Sequence, residues 1–275
     1  MAFFSAPLMT PSLGYLATLG GLWQKHPRYK QCVGHWLITE RGGSTVFDMS
    51  GNSHQGTLTN MDPATDWVLG PHGAVLDLDG SDDHVSLGTA SDLNLQGVMS
   101  CSCWMRTADF VTAAALIATS VNGNNSNYAM TFGFTDNKFE FWNDASGPVI
   151  TSVQSISDSG WHFYVATRNG SASNLTISLY IDGKFDTSAA VTRNPDGSTA
   201  DLVTLSRFGG FNGYYITGNI GDVRLYNRVL TATEVSSLYT VPFLEFVWAA
   251  SVLHTKEISR FVSPWHMPWN ISGIT

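Results

Sequence analysis

The chain has 275 residues, of which 43% are hydrophobic and only 13% charged, with a formal net charge of −8. That length allows one large domain with additions or two small ones. The acidic balance argues against a nucleic-acid groove, and no apolar run reaches the roughly 20 residues that a membrane helix needs.

Residues 1–31 show no clean period and read as a docking arm. The opening MAFFSAPLMTPSLGYLATLGG is apolar, lacks basic residues before it and carries Pro7 and Pro11, so it does not read as a secretory signal. Gln24 to Lys30 (QKHPRYK) is the basic cluster of the chain and is expected to be a solvated loop. Regular structure is expected to begin at Cys32 with CVGHWLIT. Asp48, Ser50, Gly51 and Asn52 then form a turn whose side chains can bond their own backbone, and the segment to Trp67 reads as loop.

Strands follow at short intervals. In AVLDLDG, Leu76 and Leu78 alternate with Asp77 and Asp79; in MSCSCWMRT, Cys101, Cys103 and Met105 share one face and Ser102 and Trp104 the other. This period of two marks a strand with one buried face. The cysteines read as small buried apolar residues rather than metal ligands, since no second ligand pair is spaced for them. AALIATS, YAMTFGFT, KFEFWND and PVITSV continue the series, with Asp136-Asn137 as a hairpin turn.

The central stretch is GWHFYVATRNGSASNLTISLYIDGKF. Trp161, Phe163 and Val165 share one face; Leu175, Ile177, Leu179 and Ile181 alternate with polar residues and Tyr180. Asp182-Gly183 supplies the positive φ angles of a two-residue hairpin turn. DLVTLSRF, the loop FGGFNGYY and NIGDVRLYNR come next. TATEVSSLY breaks the rhythm: Thr231 can cap a short helix, and Glu234 three residues on completes a capping box. Many short strands with turn signals between them predict an all-β, two-sheet antiparallel jelly-roll sandwich with arms at both ends and one short helix.

After Pro242 the chain is apolar, with Phe243, Phe246, Trp248, Phe261, Trp265 and Trp269. A tail of this composition is expected to dock on the body or on a partner rather than to stand free in water. The resulting organisation is an arm at 1–31, a body at 32–241 and an arm at 242–275.

Little in the chain reads as catalytic. A glycosidase needs two carboxylates about 5–10 Å apart across a cleft; KFEFWND offers Glu140, which reads as a solvated strand residue, with Asp144 beyond it in a turn. No nucleophile elbow, phosphate loop or metalloprotease helix is present, so no catalytic residue is assigned. A sugar platform is the remaining chemistry: sugars stack their apolar ring faces on aromatic side chains. Tyr128, Trp142, Phe211, Tyr214 and Tyr215 are its candidate residues, set against the reading that their loops are ordinary hairpin connections.

Three segments in order carry a resemblance: FDMSGNSHQGTLTNMDPATDW with LDLDGSDDHVSLG, then GWHFYVATRNG with LYIDGK, then IGDVRLYNRVLTATEVSSLY. Together, over residues 32–241, they resemble the laminin-G-like, concanavalin A-like jelly roll, in the version found in bacterial surface proteins and tailed-phage virion proteins. The resemblance implies two curved antiparallel sheets, binding of glycans or proteins, and no catalysis. It also implies a structural calcium ion held by Asp48, Asn52 and Asp222.

With the apolar arms, the resemblance leads to an expected function: a non-enzymatic virion protein of a tailed phage, made in the host cytoplasm, as capsid decoration or appendage. It would dock through its arms on the major capsid protein or on sister copies as a homo-oligomer. The alternative is a carbohydrate-binding adhesion module for host or bacterial surface glycans.

Overall fold

The computed structural model describes residues 22–110, 112–120, 127–134, 137–144, 146–171, 174–195, 200–208 and 213–242. In chain order the strands are β1 (Cys32–Trp36), β2 (Thr45–Val46), β3 (Gly56–Thr59), β4 (Trp67–Gly70), β5 (Gly73–Asp79), β6 (His84–Gly88), β7 (Met99–Thr107) and β8 (Ala114–Ser120). They continue with β9 (Ala129–Phe132), β10 (Lys138–Trp142), β11 (Pro148–Ser155), β12 (Trp161–Ser171), β13 (Asn174–Ile181), β14 (Lys184–Val191), β15 (Leu202–Leu205) and β16 (Thr217–Tyr226). Helix α1 (Ala232–Thr240) follows.

The strands form two antiparallel sheets, as the alternation predicts. Sheet A runs β14-β13-β12-β7-β16-β5-β4, with β1 pairing on β16; sheet B runs β11-β10-β9-β8-β15-β6-β3-β2. Their facing sides make the core. Leu76 and Leu78, Cys101, Cys103 and Met105, and Leu175, Ile177, Leu179 and Ile181 enter it from sheet A; Met130, Phe132, Phe139 and Phe141 enter from sheet B. The region expected to be loop up to Trp67 contains β2 and β3, which extend one edge of sheet B. Strands this short carry too few residues for a period of two to be read from sequence.

The outer face of sheet A is also partly covered. Phe163, Val165, Trp104 and Tyr226 form a second cluster with Val235 and Leu238 of α1, and Tyr239 stacks on Trp104 with ring centroids 5.5 Å apart. The helix starts where the sequence says: Thr231 accepts from Glu234 N, and the Glu234 carboxylate accepts from Thr231 N at 2.8 Å. The central hairpin turns at Asp182 (φ 52°) and Gly183 (φ 75°). A Cβ on Gly183 would lie 2.8 Å from Tyr239 Cβ, so the turn needs glycine for packing as well as for φ.

QKHPRYK departs from the expected solvated loop. It forms two 3-10 turns, and Arg28 and Tyr29 are buried. Arg28 donates to the Val241 carbonyl (2.6 Å), an acceptor that the end of α1 leaves open, and to the Ser237 carbonyl (2.7 Å), which also accepts the Val241 N–H. Among the described residues no helix is long and apolar enough to cross a membrane.

Candidate functional site

The outer face of sheet B carries a small aromatic cluster. Phe139 and Phe141 of β10 point into the core, so Glu140 and Trp142 must point outward. Trp142 packs there with Phe208, Phe134 and the alanines 115, 118 and 129, which are small enough to let rings lie close over the strands. Phe134 is 4.9 Å from Trp142 and 4.6 Å from Tyr214, ring centroid to ring centroid; Phe208 is 5.4 Å from Trp142. Tyr214 is the outermost of the four, 37% exposed, whereas Trp142 is 8% exposed.

Two features set the geometry of this cluster. The Trp142 indole N–H donates to Thr131 Oγ1 at 2.9 Å, and that hydroxyl donates to Glu140 Oε2 at 3.3 Å. Glu140 and Thr131 are cross-strand partners of β10 and β9, so the carboxylate, hydroxyl and indole form one chain that fixes the ring. Tyr214 has φ 64°, a left-handed conformation that a bulky side chain rarely takes. Its carbonyl accepts from Ala115 N at 2.8 Å, tying the residue to β8. Strained backbone of this kind tends to gather at ligand-contacting positions.

Arg168 of the GWHFYVATRNG segment braces one side. From β12 it donates to Asn127 O and Asn143 Oδ1, both at 2.7 Å, on the chain just before β9 and just after β10. Burial lowers its pKa to about 10, still leaving it charged at neutral pH.

The structure sorts the expected sugar-contacting residues. Trp142 and Tyr214 come together. Tyr128 does not join them: it is fully buried in the core and its hydroxyl donates to Leu93 O at 2.9 Å. Tyr215 is also buried, its ring 6.1 Å from that of His84. Phe211 lies outside the described residues. Glu140 is fully buried rather than solvated, its carboxylate accepting from the Thr131 hydroxyl. Sequence reasoning missed Phe134 and Phe208, whose only signal was an apolar residue just outside a strand. The six aromatics expected to dock on a partner, Phe243, Phe246, Trp248, Phe261, Trp265 and Trp269, lie outside the described residues.

The residues expected to hold calcium do not fit a cation. Asp48 Oδ1 accepts from His35 N (2.9 Å) and Ser50 N (2.8 Å); Oδ2 accepts from Ser50 Oγ (2.7 Å) and His54 N (3.0 Å). These four donors use up the lone pairs of the carboxylate. Asn52 turns its amide nitrogen inward, to Cys32 O and Val33 O at 3.1 Å. Asp222 is buried against a fixed positive charge: Arg224 Nε and Nη2 lie 2.9 and 3.1 Å from its two oxygens, and His35 Nε2 lies 2.8 Å from Oδ1. Burial works against the carboxylate, but Arg224 and His35 outweigh it and hold its pKa well below the usual range. A β-bulge at Gly221–Arg224, with Asp222 at φ 43°, creates this pairing.

Elsewhere, carboxylate oxygens of Asp79, Asp82 and Asp83 lie within 4.8 Å of one another at the β5–β6 turn. Asp79 accepts from Ser81 N and Asp83 from Asp79 N, so both serve the turn itself. Burial, with the neighbouring acids, pushes the Asp83 carboxyl up to about 6.

No curated protein matches the chain in sequence. Among solved structures, it is similar to the binding domain of Paraclostridial Mosquitocidal Protein 1 (16% identity, TM-score 0.60, covering 78% of this chain and 53% of that one). It is also similar to Trypanosoma rangeli sialidase (14% identity, TM-score 0.55, covering 78% and 33%). A third similar structure is Domain 4 of AbnA, a GH43 extracellular arabinanase from Geobacillus stearothermophilus, in complex with arabinotriose (17% identity, TM-score 0.59, covering 76% and 98%). The chain therefore spans about half of the first structure, a third of the second and nearly all of the third. These likenesses concern the fold. The family model described as Concanavalin A-like lectin/glucanases superfamily matches residues 79–236, more than half of the chain. With two antiparallel sheets packed face to face and the helix laid on one of them, the chain belongs to the concanavalin A-like lectin/glucanase superfamily.

Proposed function

We propose that this chain is a non-catalytic glycan-recognition module that contacts sugar on the outer face of sheet B. The observation that carries the reading is the four-ring cluster, with Tyr214 held outward at φ 64° over Phe134 while Trp142 is fixed beneath by Thr131 and Glu140. A partly exposed aromatic surface with a few fixed polar groups is the composition of a small-ligand site. Glu140 serves there as a buried acceptor that orients the indole. The arabinanase domain solved with arabinotriose supports the ligand class.

The test is titration of the full chain with arabinotriose and a panel of neutral oligosaccharides, against Tyr214→Ala. The reading expects weak binding that the substitution abolishes. A blank panel at high protein concentration, or binding unchanged in the variant, would overturn it.

A second observation favours a structural setting for the module. Arg28, near the end of the first arm, bonds Val241 at the base of the second, and Arg224 holds the Pro242 carbonyl at 2.8 Å. The described residues at the bases of the two arms thus lie side by side, near the end of α1. This arrangement suits a virion protein of a tailed phage, docked by its arms on capsid proteins or sister copies. Deleting residues 243–275 is expected to abolish particle association and oligomerisation; a truncated chain that retains both excludes this setting.

A further inference from the structure

A second, chemically different row lies on the open part of sheet A's outer face. Asp77 of β5 pairs in register with Asn219 of β16; Asn219 pairs with Arg106 of β7; Arg106 pairs with Trp161 of β12. A carboxylate, an amide, a guanidinium and an indole therefore stand in one file across four adjacent strands. They are wired together: Asn219 Nδ2 donates to Asp77 Oδ1 at 2.7 Å, and Arg106 Nε donates to Asn219 Oδ1 at 3.0 Å. The guanidinium carbon lies 5.8 Å from the Trp161 ring centroid.

Asn219 is 3% exposed, and both ends of its amide are committed. Arginine only donates and a carboxylate only accepts, so the orientation of the amide is fixed by its neighbours. Asn219 thus holds Arg106 by Nε and Asp77 by one oxygen. What it leaves available are the two terminal nitrogens of Arg106, which have no protein partner among the described residues, and Asp77 Oδ2. Both residues are exposed. They line an open groove of about 400 Å³, with Ser159 and Thr217 also on its wall.

We propose that this groove binds an acidic sugar residue. The terminal nitrogens of a guanidinium form a fork that matches a carboxylate in two parallel hydrogen bonds. Asp77 Oδ2 accepts from ring hydroxyls, and Ser159 and Thr217 exchange hydrogen bonds with others. The ligand is a single carboxylate-bearing sugar rather than a polyanion, because the chain carries a net charge of −8 and Asp77 itself repels further negative charge. The site is independent of the ring cluster on sheet B, which lies on the opposite side of the sandwich.

The test is calorimetric titration of the full chain with trigalacturonate, with 3′-sialyllactose and with their neutral counterparts, galactotriose and lactose. The two acidic probes separate a uronic acid from a sialic acid as the source of the carboxylate. One of them is expected to bind, with Arg106→Gln weakening it about tenfold or more, the size of a charge-assisted pair. Arg106→Lys is expected to recover only part of the loss, since it keeps the charge without the fork. Tyr214→Ala is expected to leave acidic-sugar binding unchanged, so this site and the sheet B site fail separately. Equal binding of acidic and neutral probes, no binding of either acidic probe, or full binding by Arg106→Gln in a chain with wild-type circular dichroism overturns the proposal.

Discussion

The Arg28 guanidinium donates to the Val241 carbonyl at 2.6 Å across 213 positions of sequence. It closes the polypeptide on itself, and it does so at the end of α1, where carbonyls lack partners within the helix. Arg28→Met keeps most of the stem and removes the donors to Ser237 and Val241. A loss of about 2 kcal/mol is expected from hydrogen bonds involving a charged group. Hydrogen exchange should accelerate in 237–242 and in 27–30 together. Acceleration in only one of them shows that the bridge does not couple the two segments.

Asp222→Asn leaves Arg224 and His35 buried with half their partner gone. Breaking a buried pair in this way costs about 3–5 kcal/mol, and Asp222→Asn with Arg224→Met is expected to recover part of it. The folded pKa of Asp222 is depressed, so this contribution is present above the ordinary value of 3.8 and fades only as pH falls well below it. Urea midpoints measured with and without EDTA should give the same difference between wild type and variant. A difference that shrinks in EDTA returns Asp222 to a metal-binding role.

Tyr214→Gly and Tyr214→Ala should separate. Both lose the ring, but glycine adopts φ 64° without strain whereas alanine does not. The glycine variant is expected to be more stable by about 1 kcal/mol, while both lose neutral-sugar binding. Equal stabilities in thermal melts would mean that the left-handed turn stores no strain.

His162 gives the central hairpin a pH dependence. Its Nδ1 lies 2.8 Å from Asp182 and its Nε2 3.1 Å from Asp158, and the bond to Asp182 is the main cause of its raised pKa. Stability from the charged ring is thus fully present below the ordinary 6.5 and is lost as pH rises through the higher folded value. His162→Gln should cost on the order of 1–2 kcal/mol in mild acid and little in alkali. A melting temperature that falls with pH equally in both proteins assigns the effect to another group.

Local pattern settled the longer elements, though not β2, β3 or the turns of QKHPRYK. Alternation placed Leu76, Cys101 and Ile177 in the core, positive φ at Asp182-Gly183 made the hairpin turn, and Thr231 with Glu234 started the helix. Each depends on neighbours within a few residues, where backbone sterics and hydrogen-bond geometry act directly.

Only the folded chain decided which residues meet. The family resemblance offered Asp48, Asn52 and Asp222 as cation ligands, but Arg224 takes Asp222 and backbone N–H groups take Asp48. Tyr128 and Tyr214 both follow polar loops, yet one fills the core and the other stands on the surface. Asp77, Asn219 and Arg106 share no local pattern and meet because strand register aligns them. Sequence fixes the direction of a side chain relative to its own strand; long-range pairing and bulges fix what that side chain faces, and binding depends on the second.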